Sequence, residues 1–417
     1  MKATHAYYLL EGGQSFSMAV IWTLATVYFV ESLHLDPLKL VLLGTALEAA
    51  YFVTEIPTGV VADVYSRRLS ILIGLSILGA SFLLAGLTAE FSLLVATQVA
   101  AGIGFTFLSG ATTAWLAGEI GEDAVGPVLI RAGQIGRVTG VLGAIVSAAL
   151  ASLALHLPLV IGGGLMLALA GVLLAGMREH GFKPVRVAGV SPWRQTWQGF
   201  RLGAAAVRAA PLLLMLCALE LFMGASMEGV DRLGDAHLLQ NFTFPALAGL
   251  PTAYWFAALH IAGSVLTFVV VEPLRPRLEK LTHTPATVAY GLLTFDALSL
   301  IAVVGFATAG NFWVAAGCLL LRTLAFGLGA PLFQAWQVQN TRPETRATAL
   351  SFVGQAHAFG EMAGGPGVGW IGSTFGLRTA LLVAAALLAP ALPFYLFAAR
   401  RSPEAEVAPT ELEAVDL

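Results

Sequence analysis

The sequence is short of charge. Only 11% of its 417 residues are Asp, Glu, Lys or Arg, whereas a soluble chain of this size carries about a quarter. The formal net charge of −3 leaves no basic face, which argues against a nucleic-acid partner. Cysteine is scarce as well. Cys217 and Cys318 both fall inside apolar segments, so no disulfide framework is implied. Histidines and acids at metal-ligand spacing are missing, and no metal or other cofactor is expected. The sequence also lacks a phosphate-cradling loop and a nucleotide-binding domain, which excludes direct drive by ATP. No nucleophile–base cluster is visible, so an enzyme is not expected.

What fills the sequence instead is apolar. Hydrophobic residues make up 57% and there are 45 glycines, a composition that lets helices pack closely in lipid. A membrane helix needs about 20 largely apolar residues. Leu69–Ala89, Leu157–Met177 and Thr379–Ala399 meet that without a charge, and Ser92–Gly118 is longer still. The first stretch, Gly12 to Val30, is too long for a signal-peptide core and lacks a clear cleavage site, so it reads as a retained helix. With one to three polar residues allowed per segment, twelve spans result: 6–31, 38–60, 69–89, 92–117, 127–154, 157–177, 211–230, 251–271, 285–308, 311–336, 347–371 and 377–399. The expected fold is all-α and integral to the membrane. A six-helix bundle occupies 1–177, a linker 178–210 and a second six-helix bundle 211–399, with an acidic, disordered tail over 400–417. Within the linker, Ser191-Pro192 reads as a helix start. Trp193, Trp197 and Phe200 then share one face of a short amphipathic helix.

Lys and Arg set the orientation. With the N-terminus in the cytoplasm, seventeen of the 22 lie inside, Lys39, Arg232 and Arg378 lie outside, and Arg137 and Arg322 fall within spans. The positive-inside rule therefore expects both termini in the cytoplasm of a multi-pass inner-membrane protein.

The two bundles repeat each other. Leu10-Glu11 with Ser17-Met18 recurs as Leu219-Glu220 with Ser226-Met227, an offset of 209. Ala114-Trp115 recurs as Ala335-Trp336, and Gly133-Gln134 with Gly143 as Gly354-Gln355 with Gly364, both at 221. The change in offset fits a longer loop after span seven, Asp231–Leu250. Parallel repeats of this kind are related by an axis along the membrane normal and enclose a central cavity.

Between spans two and three stands Gly59-Val-Val-Ala-Asp63-Val-Tyr-Ser-Arg67-Arg68. Gly59 can permit close helix contact, Asp63 can face the positive end of a helix, and the arginines can pair with Glu119, Glu122 or Asp123. This spacing resembles the signature loop of the major facilitator superfamily, and the resemblance covers essentially the whole chain. It implies a secondary transporter in which Asp63, Arg67 and Arg68 latch the halves on the cytoplasmic side while the cavity faces out. Glu55-Ile-Pro-Thr-Gly59, Gly110-Ala111, Met223 to Arg232 and Arg346-Ala-Thr resemble the proton-coupled drug exporter branch, which includes macrolide and tetracycline efflux proteins. Two of that branch's features are altered. Gln98 stands where an arginine often occurs, and the span-five glycines Gly133, Gly136, Gly140 and Gly143 lack the following proline, which appears on span eleven as Gly365-Pro366.

Glu48, Arg137, Glu220, Asp296 and Arg322 fall near the middle of their spans. A charge there costs from about 2.5 kcal/mol upward on insertion scales, so a protected role is the default. In the implied fold spans 1, 4, 7 and 10 line the cavity. Glu48 or Glu220 is then expected to carry a coupled proton with help from Arg137, while Asp296 on a peripheral span is structural. Trp115, Gln134, Arg322, Trp336 and Gln355 are expected to line a cavity for an amphipathic small molecule. The implied function is export of such molecules by proton antiport, by a monomer whose partners are its substrate, protons and the bilayer. The alternatives are a lipid, siderophore or metabolite carrier with another coupling, or a transporter-like membrane sensor.

Overall fold

In the computed structural model, residues 1–184 and 211–401 are described, apart from 247–248, 283, 340 and 342–345, together with isolated residues between 185 and 210. The expected linker helix at Ser191-Pro192 and the tail beyond 401 lie outside the described residues. Every regular element found is a helix. They are α1 (Ala3–Glu31), α2 (Pro37–Val64), α3 (Arg67–Leu87), α4 (Phe91–Leu108), α5 (Ala111–Ile120), α6 (Glu122–Ala151), α7 (Leu157–Gly176), α8 (Pro211–Asn241), α9 (Ala253–Leu281), α10 (Pro285–Thr308), α11 (Phe312–Gln339), α12 (Arg346–Phe375), α13 (Leu377–Leu388) and α14 (Ala391–Arg401).

Helix starts follow ordinary capping chemistry. Asp36 accepts from the Lys39 N–H at 3.0 Å with Pro37 at the first helical position, and Ser66 accepts from the Leu69 N–H at 2.9 Å. Among the described residues, 11 helical stretches are long and apolar enough to cross a membrane, counting α4–α5 and α13–α14 as one each. The expected eleventh span, 347–371, is a helix of 30 residues but does not reach that apolarity. Gln355, His357, Glu361 and a run of glycines lower its hydropathy, and it is instead packed between α8 and α2. The fourth span breaks at Gly110, whose φ of 69° lies in the left-handed region open to glycine. The loop expected after 230 is shorter at its start, because α8 continues to Asn241 and carries Arg232 inside the helix.

The two bundles meet along α2 with α12 and α6 with α9. Their packing repeats in the register read from sequence. A Cβ on Gly143 would fall against the Phe16 carbonyl at 2.5 Å, and one on Gly364 against Ala225 Cβ at 2.6 Å. Phe16 and Ala225 are themselves 209 apart, so α1–α6 and α8–α12 are equivalent pairs.

Among the described residues, apolar packing is continuous between the bundles only at one end. One buried cluster runs from the N-terminal bundle through Leu233, Phe256, Phe306 and Val368, all at the end that carries Asp36. A separate cluster, with Leu216, Leu292, Trp336 and Tyr395, occupies the C-terminal bundle at the end nearer the chain termini. Among the described residues, the bundles share no buried cluster at that end.

A candidate site in the central cavity

The gap between the two clusters is a cavity of two lobes. One, of about 680 Å³, lies against α1, α2 and α4, with Glu11, Trp22, Tyr51, Phe105 and Arg232 in its wall. The other, of about 460 Å³, lies against α8 and α12, with Glu220, Gln337, His357 and Glu361. Glu48 and Tyr51 belong to both walls. The α4–α5 break opens onto the first lobe, where Tyr51 OH donates to Ser109 Oγ at 3.4 Å and Ser109 donates to Glu55 at 3.3 Å. Irregular backbone at membrane depth is tolerated where it lines such a cavity.

The cavity ends where α2 presses on α8 and α12. Glu228 and Arg232 pair at 3.2 Å, and Arg232 lies 5.5 Å over the Trp22 ring of the other bundle. Gly44 makes room for that pair, since a Cβ there would fall onto Glu228 Oε1 and Arg232 Nε. At the rim, Ser373 Oγ accepts from the Leu38 N–H at 2.9 Å and donates to Asp36 at 3.3 Å. A Gly44→Leu substitution is expected to displace the ion pair and open this end. A cysteine placed at Ser373 would then react several-fold faster with a bulky maleimide, and an unchanged rate would show that Gly44 does not hold the closure.

A chain of polar groups crosses the floor of the cavity. His357 Nδ1 is 2.5 Å from Glu220 Oε2, and His357 Nε2 is 3.5 Å from Glu361. Glu361 in turn approaches Glu48 across the wall of the same lobe. Two carboxylates that approach each other favour a shared proton, because ionised ones only accept and repel. Glu220, His357 and Glu361 belong to the C-terminal bundle, while Glu48 belongs to the N-terminal one. Among the described residues, no three His, Cys, Asp or Glu side chains converge as a metal site would require.

The structure thus brings Glu48 and Glu220 into one group and leaves the expected helper out of it. Arg137 is exposed on α6, away from the cavity wall. The expected lining residues are also placed differently. Trp115 is 2% exposed and its indole N–H donates to the Arg178 carbonyl at 3.0 Å. Trp336 is 1% exposed and packs on Tyr395 and Phe333. Both rings fill cores, because a fully enclosed ring buries more apolar surface than one on a wet wall. Gln134 is exposed on α6, and Gln355 is half-buried beside the wall residue Gly354. Arg322 pairs with Asp231 at 2.8 Å and faces a separate cavity of about 30 Å³ inside the C-terminal bundle, with Asp296 and Ser226. Asp296 itself accepts from Tyr395 OH at 2.5 Å.

The loop motif makes contacts within its own bundle. Arg67 donates to the Ala114 carbonyl at 2.8 Å and Arg68 to the Leu174 carbonyl at 2.6 Å. Glu179 accepts from Ser66 Oγ and from the Arg68 N–H. Asp63 is exposed and Gly59 has nothing near the place of a Cβ. The acids proposed as partners do otherwise: Glu119 accepts from the His180 and Gly181 N–H groups, while Glu122 and Asp123 are exposed at the start of α6.

Sequence reasoning passed over His357, Trp22 and Tyr51, and placed Arg232 outside. A signal for His357 was present, because the 221 offset sets it against Gly136 within an otherwise repeated stretch.

A family model described as Major Facilitator Superfamily matches residues 8–336. The uncharacterized MFS-type transporter YxaM of Bacillus subtilis (strain 168) is 26% identical over 165 residues, 38% of this chain and 39% of that protein's length. The matched stretch therefore spans well under half of that relative. Among solved structures, the nucleoside transporter NupG superposes with a TM-score of 0.76 at 15% identity, covering 95% of this chain and 99% of the other. A bacterial homolog of the human lysosomal transporter Spinster, inward-facing and unoccupied, gives 0.73 at 18%, covering 95% and 96%. A POT family transporter in complex with 5-aminolevulinic acid gives 0.71 at 14%, covering 96% of each.

Proposed function

Since the chain belongs to the major facilitator superfamily and is a multi-pass membrane transporter of that type, we propose that it exports amphipathic small molecules from the cytoplasm through the inner membrane, driven by proton entry. The observation that carries this reading is the Glu48–Glu361 contact. It joins the two bundles at the floor of a cavity that is closed at one end. Rocking one bundle against the other about a central site is how such repeats exchange access. A proton shared across the interface would be gained or lost as they part.

If both termini lie in the cytoplasm, as the positive-inside rule expects, the end of the cavity away from Asp36 faces inward. Asp63, Arg67 and Arg68 then stand unlatched, as a cytoplasmic clasp must while cargo enters. Wall groups that are aromatic, acidic and hydroxylic suit an amphipathic cargo better than a plain hydrocarbon. The nucleoside transporter NupG and the bacterial homolog of Spinster, which share the fold, keep a metabolite carrier as the second reading.

The test is accumulation of a panel of amphipathic compounds in inside-out vesicles, with and without an imposed proton gradient. Gradient-dependent accumulation of at least one compound is expected, and dissipating the gradient should abolish it. Accumulation that ignores the gradient would remove proton coupling. Orientation is checked separately. Cysteines at Asn311 and at Glu122, both exposed at opposite ends, are expected to react with an impermeant reagent from outside and from inside, respectively. The reverse pattern would turn export into uptake.

A further inference from the structure

Resting on that transporter reading, we infer that the cavity takes organic cations and that Glu11 holds their charged group. The argument starts from the repeat. By the offsets of 209 and 221, Glu11 corresponds to Glu220 and Gly136 to His357. In the C-terminal bundle the pair is complete, with His357 Nδ1 2.5 Å from Glu220. In the N-terminal bundle the histidine is replaced by glycine. Glu11 Oε1 lies 3.5 Å from the place of a Cβ at 136, so the geometry of the pair is kept while its basic member is missing. Among the described residues, no side chain is hydrogen-bonded or ion-paired to Glu11, which faces the 680 Å³ lobe.

The charges of the wall do not balance. Glu11, Glu48, Glu220 and Glu361 are set against Arg232 and His357. Arg232 is committed to Glu228, and His357 to Glu220 and Glu361. A cation entering the first lobe therefore meets net negative charge, and an anion meets repulsion. The same lobe presents Trp22, Tyr51 and Phe105, and Trp22 already carries a guanidinium 5.5 Å above its ring. Rings of this kind attract a desolvated cation as well as apolar substituents. A carboxylate without a basic partner, beside aromatic rings and with Ser15 and Thr112 in the wall, fits a monovalent cation with apolar arms. The C-terminal bundle supplies its own cation at the equivalent place; the N-terminal bundle leaves it to the ligand.

The test is equilibrium binding of tetraphenylphosphonium to the full chain in detergent, beside neutral triphenylphosphine oxide and anionic tetraphenylborate. The phosphonium is expected to bind best, and Glu11→Gln to weaken it by about tenfold or more while changing the neutral compound little. Gly136→His, which supplies the missing imidazole, is expected to give the same loss. Should Glu11→Gln fail to fold, Glu11→Asp keeps the charge and is expected to retain most of the binding that Gly136→His removes. Preferred binding of the neutral or anionic compound, or wild-type phosphonium binding in both Glu11→Gln and Gly136→His, overturns the inference. The two readings fail separately. Glu11-dependent phosphonium binding without gradient-driven uptake into inside-out vesicles leaves the cation site and refutes export, whereas gradient-driven uptake of the neutral compound alone does the reverse.

Discussion

Replacing Glu48 with glutamine is expected to reduce gradient-driven accumulation to the level of empty vesicles. Exchange of substrate down its own gradient should stay within about threefold of wild type, because binding and rocking remain. The reason lies in which contacts can survive a rigid-body rotation. Glu220 sits on α8 and His357 on α12, both in one bundle, so their 2.5 Å contact travels intact. Glu48 and Glu361 belong to different bundles and must separate when the cavity changes sides. The proposed coupling places a proton between them while they are together. Once apart, an ionised carboxylate near mid-depth is costly unless water or a partner reaches it, so each cycle forces a decision about that proton. Glutamine can keep a hydrogen bond to Glu361 but has no proton to release.

Glu220→Gln should behave differently. It replaces the nearer of the two carboxylates on His357 with a neutral amide and leaves only Glu361 at 3.5 Å, so its main effect is expected on yield and melting temperature. The deciding measurement is proton release on substrate addition to purified wild type, Glu48→Gln and Glu220→Gln. If Glu48→Gln still releases protons like wild type, the carrier is elsewhere and the contact between bundles is merely structural.

Most of the architecture was readable because it follows from one quantity, apolar length, and one pattern, the repeat. Leu157–Met177 could be placed without any partner being known, and the helix found is Leu157–Gly176. Where hydropathy and structure part, polar side chains face the cavity or one another. Helix α12 carries Gln355, His357 and Glu361 because its neighbours are α8, α2 and the cavity, so hydropathy underrates it. Helix α8 runs on to Asn241 past Glu228, Asp231 and Arg232, since Glu228 and Arg232 neutralise each other at 3.2 Å. At the site, the mid-span acids Glu48 and Glu220 stood out, because their cost can be judged from position alone. Arg137, Trp115 and Trp336 did not resolve, because a helical segment gives its depth but not its facing. Only packing shows that the two tryptophans turn into cores and that Arg137 turns away from the cavity.

The second large effect is expected from glycines, and the repeat provides its own control. Gly143→Leu and Gly364→Leu should each prevent folding or lower the melting temperature steeply. Gly133→Leu and Gly354→Leu, ten residues away on the same two helices, should be nearly silent. At Gly143 a Cβ would meet the Phe16 carbonyl at 2.5 Å and Ala19 Cβ at 2.8 Å; at Gly364 it would meet Ala225 Cα at 2.7 Å. These neighbours are backbone or the first carbon of a side chain, so no rotamer change relieves the clash and the helices themselves must part. Overpacking of a rigid contact costs about 1–3 kcal/mol for small additions, and an isobutyl group between two backbones exceeds that. At Gly133 and Gly354 nothing lies within 4 Å of the added atom. Because α1–α6 and α8–α12 are equivalent pairs, the two harmful substitutions should resemble each other, as should the two tolerated ones. Thermal denaturation of the four variants in detergent measures this directly. A melting temperature for Gly143→Leu close to that of Gly133→Leu would mean that the α1–α6 contact is looser than the structure has it, and the equivalence of the two bundles would lose its packing argument.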